Sequence, residues 1–162
     1  MKSEPKKRTP RPRASKLEAT VHSAPKDDLL IAAIGASAGG IEAFTELMTN
    51  LPVDSGMAFV LVQHLDPKHH SLLTELLSKR TAMRVTEVTD GMKLERDHVY
   101  VIPPNATMSI SNHTLQLRSR EESRGLHMPI DHFMRALAEE HGNRAIGVIL
   151  SGAGTDGTLG DG

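Results

Sequence analysis

"LLIAAIGASAGGIEAF", residues 29 to 44, decides how the chain folds. Its first eight residues are continuously apolar, as in a strand buried on both faces of a parallel sheet. Its last residues begin a helical stripe of Ile41, Phe44, Leu47 and Met48, which Leu51-Pro52 closes. Between them lies Gly35-Ala36-Ser37-Ala38-Gly39-Gly40, a glycine-rich turn with a hydroxyl at its centre. Buried strand, glycine turn and helix form the opening unit of a doubly wound α/β domain.

The rest of the chain repeats that alternation. Met57 to Gln63 is a second continuous apolar run, and Leu72, Leu73, Leu76 and Leu77 suggest a second helix. A third is predicted from Pro129 to Gly142, with Ile130, Phe133, Met134, Leu137, Ala138 and His141 as its apolar stripe. "AIGVILSG", residues 145 to 152, returns to the buried-strand type. Residues 83 to 120 alternate at period two and are broken by Asp90-Gly91, Pro103-Pro104-Asn105 and Ser111-Asn112-His113, which are strand and hairpin signals. The expected architecture is three-layered and Rossmann-like: a mainly parallel sheet, helices on both faces, and a β-hairpin insert.

Composition narrows the function. The 162 residues suit one domain, here residues 29–162 after a tail at 1–28. Residues 1–16 hold seven Lys/Arg against one acid, with Pro5, Pro10 and Pro12 between them, so the tail is expected to be disordered. A formal net charge of -1 argues against a nucleic-acid-coating surface, and 2% aromatics without Trp argue against base stacking. The absence of cysteine excludes disulfides, thiol catalysis and thiolate metal sites. The apolar runs are too short to span a bilayer, and no signal-peptide pattern follows the basic start. A cytoplasmic location is expected.

Three polar residues fall at the carboxyl ends of strands, where open α/β sheets build their sites. Ser37 follows the first, His64 follows the second, and Asp156 follows the late strand. Nucleophile, general base and imidazole orienter are the set that acyl transfer at neutral pH requires. A rival reading exists. Gly35, Ser37 and Gly40 form a degenerate G-x-G-x-x-G, so a dinucleotide site competes, although Gln63-His64 stands where an acid should hold a ribose. Gly35, Ser37 and Gly39 also fit G-x-S-x-G, but the order Ser, His, Asp differs from the Ser, Asp/Glu, His of α/β-hydrolases. His64, His69 and His70 lack the carboxylate or cysteine spacing of a metal site. Residues alone leave hydrolase and nucleotide binder both open.

"IGASAGGIEA", "VLVQHLDP", "DGMKLERDHVYVIPPN" and "MPIDHFMRALAEEHGNRAIGVILSGAGTDGTLG" together resemble, in order, the catalytic domain of chemotaxis protein-glutamate methylesterases (CheB). The resemblance covers residues 31–162 and implies hydrolysis of glutamyl methyl esters on chemoreceptor cytoplasmic helices, with glutamine deamidation in many members. It implies Ser37 as nucleophile, His64 as base and Asp156 as its partner, with an oxyanion amide at Ala153 and no cofactor. Ala38 stands where well-known members have Thr and keeps only the backbone N–H. Gly35, Gly39 and Gly40 would be the turn glycines. A non-catalytic signalling module, or an inactive truncated esterase, is the alternative.

The resemblance also frames what surrounds the domain. Only 30 residues precede Ile31, too few for the receiver domain of typical members, which needs about one ordinary domain's length. Other relatives fuse such a domain to a methyltransferase. The family continues past the aspartate loop, so the chain is expected to lack C-terminal elements.

Overall fold

A computed structural model describes residues 28–37, 40–64, 72–120 and 128–151. The tail assigned to 1–28 lies outside them, Asp28 excepted. In chain order the elements are β1 (Ile31–Ala36), α1 (Ile41–Asn50), β2 (Ala58–Gln63), α2 (Leu73–Ser78), β3 (Arg84–Glu87), β4 (Met92–Lys93), β5 (His98–Val101), β6 (Ala106–Ser111), β7 (Thr114–Ser119), α3 (Pro129–His141) and β8 (Ala145–Ser151). A single 3₁₀ turn, Gly142–Arg144, joins α3 to β8.

Five strands make a parallel sheet in the order β3-β5-β2-β1-β8. β1 and β2 are buried at every position, which is why both read as apolar runs, unbroken in β1 and up to Gln63 in β2. Their side chains alternate between two cores. Ile31, Ala33, Ala58, Val60 and Val62 face α3 and a small antiparallel sheet. Ala32, Ile34, Ala36, Phe59 and Leu61 face α1 and α2. The three-layer, doubly wound expectation is met.

The helix boundaries have local causes. Leu51 is extended (φ -78, ψ 139) because Pro52 follows, and α1 stops there. Phe44 and Met48 are buried, each worth about 1.5–3 kcal/mol on removal from water. Pro129 occupies the first turn of α3, where its missing N–H leaves nothing unsatisfied. Gly142 caps the other end at φ 52, a region that a Cβ disfavours.

Two expectations need correction. Leu72 and Ala138 were expected on buried stripes, but both are exposed, because Leu72 is the cap of α2 and Ala138 faces away from the core. The strand-rich stretch at 83–120 is also not all hairpin. β3 and β5 join the parallel sheet, and only β4, β7 and β6 pair antiparallel. The reason lies in burial: all four residues of His98–Val101 are buried, as a two-sided strand demands. The β6–β7 hairpin is as expected, with Asn112 and His113 both at positive φ in a two-residue loop.

Candidate active site

β1 is the switch point of the sheet. The chain leaves it through α1, on one face, toward β2, and returns through α3, on the other face, to β8. The crevice at the carboxyl ends of β1 and its neighbours is where such sheets bind ligands. Ser37 immediately follows β1 and is half-buried, while His64 immediately follows β2 and is exposed. The strands bring them to adjacent positions: Ala36 pairs with Gln63, and the His64 N–H donates to the Ala36 carbonyl at 3.2 Å. On the other side Ala36 pairs with Ser151, the last residue of β8. Asp156 and Ala153 follow it in the chain and lie outside the described residues, as do Ala38 and Gly39.

Ser37 stands just ahead of the first helix. Ser37 does not itself begin the helix; its carbonyl accepts the Gly40 N–H at 2.9 Å, and α1 starts at Ile41. Glycine at position 40 suits a boundary there, because glycine is a poor helix former. Gly40 is buried at the N-cap with φ -87. The first-turn N–H groups of α1 nevertheless begin close to Ser37 in the chain, a favourable place for developing negative charge.

Gly35 is not a turn glycine. It sits inside β1, paired with Val62 and Ile149, and its φ is not positive. Its value is spatial: a Cβ there would lie 2.5 Å from Ile130 Cγ2 at the start of α3. A dinucleotide fingerprint needs its first glycine in the tight turn, so this placement disfavours that rival.

Sequence reasoning missed two neighbours of the crevice. Gln63, 3% exposed, ends β2 and its Nε2 donates to the Ser37 carbonyl at 3.4 Å. Asp131, also buried, follows Ile130 in the first turn of α3. The signal for Gln63 was available: it is the one polar residue in an otherwise apolar buried strand, next to His64.

A second hydroxyl–imidazole–carboxylate group occurs elsewhere. Thr86 Oγ1 and His98 Nε2 are 2.8 Å apart, and His98 Nδ1 lies 3.7 Å from Glu95 Oε2. His98 opens β5, so this group sits at the amino end of the sheet, away from the switch point. The glycine turn nearest to it, at Gly56, is tied to Asp97 and Arg96 and precedes β2 rather than a helix. Burial, with help from Arg84, holds the His98 imidazole below its ordinary range, against the opposing pull of Glu95. It reads as packing at the β3 edge.

Comparison with known proteins agrees with this geometry. The family model described as CheB methylesterase matches residues 32–161. A protein-glutamate methylesterase/protein-glutamine glutaminase 1 of Xanthomonas euvesicatoria pv. vesicatoria is 35% identical over 93% of this chain and 45% of its own length. A protein-glutamate methylesterase/protein-glutamine glutaminase 2 of Methanosarcina acetivorans is 31% identical over 80% of this chain and 39% of its own. The chain thus spans less than half the length of these curated relatives. The crystal structure of the Thermotoga maritima CheB methylesterase catalytic domain superposes with a TM-score of 0.70 at 28% identity, covering 82% of this chain and 72% of that one. Motif order, sheet topology and these matches lead to one conclusion: the chain belongs to the CheB methylesterase family.

Proposed function

We propose that this chain is a serine hydrolase that cleaves glutamyl methyl esters on the cytoplasmic helices of chemoreceptors. The observation that carries the reading is the register of β1 and β2, which sets Ser37 and His64 at neighbouring strand ends across the Ala36–Gln63 pair. In this reading His64 accepts the Ser37 proton as the serine oxygen attacks the ester carbonyl. The C–O bond to the methoxy group then breaks, and methanol leaves with the proton that His64 returns. Water, activated by the same imidazole, hydrolyses the acyl-serine and restores both residues. Asp156 would hold the imidazole tautomer, and the backbone N–H groups of Ala153 and Ala38 would face the oxyanion. A carboxamide side chain could enter the same path with ammonia as leaving group. That variant is favoured by the names of the relatives, which include glutaminase.

The setting we propose is the cytoplasm, where those receptor helices lie. Among the described residues no helix is long and apolar enough to cross a membrane. A methyltransferase, fused or separate, is the partner whose product this chemistry removes.

The test is methanol release from a methylated chemoreceptor fragment. Ser37→Ala is expected to lower turnover by about 10⁶-fold, as loss of a triad nucleophile does. Asp156→Asn is expected to cost about 10⁴-fold, through the wrong imidazole tautomer. Turnover of Ser37→Ala within about tenfold of the parent would remove Ser37 from the mechanism.

A further inference from the structure

β2 ends on a residue that its neighbours do not explain. Ala58–Gln63 is buried at all six positions, and the first five are apolar. A primary amide withdrawn from water costs several kcal/mol unless it is hydrogen-bonded, on the order of 1–3 kcal/mol by protein substitution data. Leucine or valine would fill the position without that cost. The side chain reaches a peptide group of the turn after β1: Gln63 Nε2 donates to the carbonyl of Ser37. At 3.4 Å the bond is long, so it adds little stability by itself.

That carbonyl is held twice. The Gly40 N–H reaches it at 2.9 Å from the α1 side, and Gln63 reaches it from the β2 side. The backbone around the contact is equally tied, since Ala36 pairs with Gln63 and its carbonyl accepts the His64 N–H. Gln63 therefore touches the peptide of the serine through its side chain and precedes the histidine in the chain. Displacement of the Ser37 backbone that this carbonyl anchors would move its Cβ and hydroxyl relative to the imidazole. Near-attack geometry tolerates little of that, because displacements near 1 Å can cost about 10²-fold in rate.

We propose that Gln63 is a positioning residue for the hydrolysis, its carboxamide helping to anchor the Ser37 carbonyl and with it the backbone that carries the Ser37 hydroxyl beside His64. The proposal rests on the serine-hydrolase reading above. It gives Gln63 no contact with substrate, so its loss should lower kcat and leave KM nearly unchanged.

The test uses a small alkyl fluorophosphonate, which reacts with an activated serine, on the full chain and two variants. The labelled residue is identified by peptide mass, and ester turnover and thermal melting are measured alongside. The parent is expected to label at Ser37. Gln63→Leu, which keeps the bulk and loses the donor, should label about 10- to 100-fold more slowly, with KM within about twofold. Gln63→Glu supplies a readout that a packing defect would not move. Its carboxylate cannot donate, but its protonated form can, so its rate relative to the parent should rise as pH falls. That ratio decides the matter even where Gln63→Leu fails to fold. Labelling of the parent at Ser37 with both variants within about twofold, and a pH-independent ratio, would overturn the proposal alone. A parent that does not label at Ser37 would overturn the hydrolase reading and the proposal with it.

Discussion

Ile130 occupies the space that a side chain on Gly35 would need: its Cγ2 is 2.5 Å from the position of a Cβ there, and Ile149 Cδ1 is 3.1 Å away. Residues far apart in the chain thus lock the start of α3 onto the carboxyl end of β1, two residues before Ser37. Gly35 has no positive φ, so alanine would suit its backbone and reduce the entropy of the unfolded chain. Sterics should reverse that sign. Gly35→Ala is expected to destabilise by about 1–3 kcal/mol, the usual cost of overpacking a close-packed core. In Gly35→Ala, removal of the Ile130 branches by Ile130→Ala should cost less than it does in the parent, with a coupling of about 1–2 kcal/mol. Denaturant titration of the four proteins checks this, and strict additivity would contradict the contact.

How much of this was legible beforehand depends on range. β1, β2 and α3 were legible because burial on two faces, or on one helical stripe, leaves a local pattern in the residues themselves. The parallel placement of β3 and β5 was not, since Arg84–Glu87 alternates like a hairpin strand and its neighbour is chosen only by the α2 crossover. Gly35 looked like part of a turn because glycine permits both a turn and a close approach, and the approaching group, Ile130, is remote in sequence. Ser37 and His64 were legible as strand-end polar residues. The bond from Gln63 to Ser37 was not, because the hydrogen-bonding carbonyl belongs to the backbone and leaves no mark on the sequence.

Tyr100 offers a second measurement, since it is the single tyrosine of a chain without tryptophan. Its buried hydroxyl accepts the Glu95 N–H at 2.7 Å and donates to the Lys93 carbonyl at 3.1 Å, holding the β4–β5 connection. Burial raises its ionisation above the ordinary 10.0, with the Glu95 N–H bond opposing. A folded value raised above the unfolded one contributes stability that is fully present below pH 10.0 and lost as pH rises through the folded value. Phenolate absorbance of the native protein should therefore appear later than in the denatured chain. Tyr100→Phe should abolish that signal and cost about 1–3 kcal/mol at neutral pH, by leaving the Glu95 N–H without its acceptor. A native titration coinciding with the denatured one would contradict the burial of this hydroxyl.

The acid side is governed by histidines. His141, buried at the end of α3, meets the His113 ring edge-on at 4.8 Å, and among the described residues neither of its ring nitrogens has a hydrogen-bond partner. Burial lowers its proton affinity first; His113 and Arg144 add to that, and Glu140 opposes them. His98 is lowered in the same sense. Both folded values lie below the unfolded 6.5, so the unfolded chain binds more protons in the interval between. Stability should be full above pH 6.5 and decline as pH falls through the folded values. The β6–β7 hairpin, which carries His113 and is tied to α3 by the Asn112 N–H on Glu140 at 2.6 Å, should be the first element to lose hydrogen-exchange protection. Because the side chain of His141 makes no hydrogen bond among the described residues, His141→Phe should leave stability at pH 8 equal or higher. The same variant should flatten the acid decline. If His141→Phe kept the full decline below pH 6.5, the loss would have to be assigned to His98 and its partners beside β3.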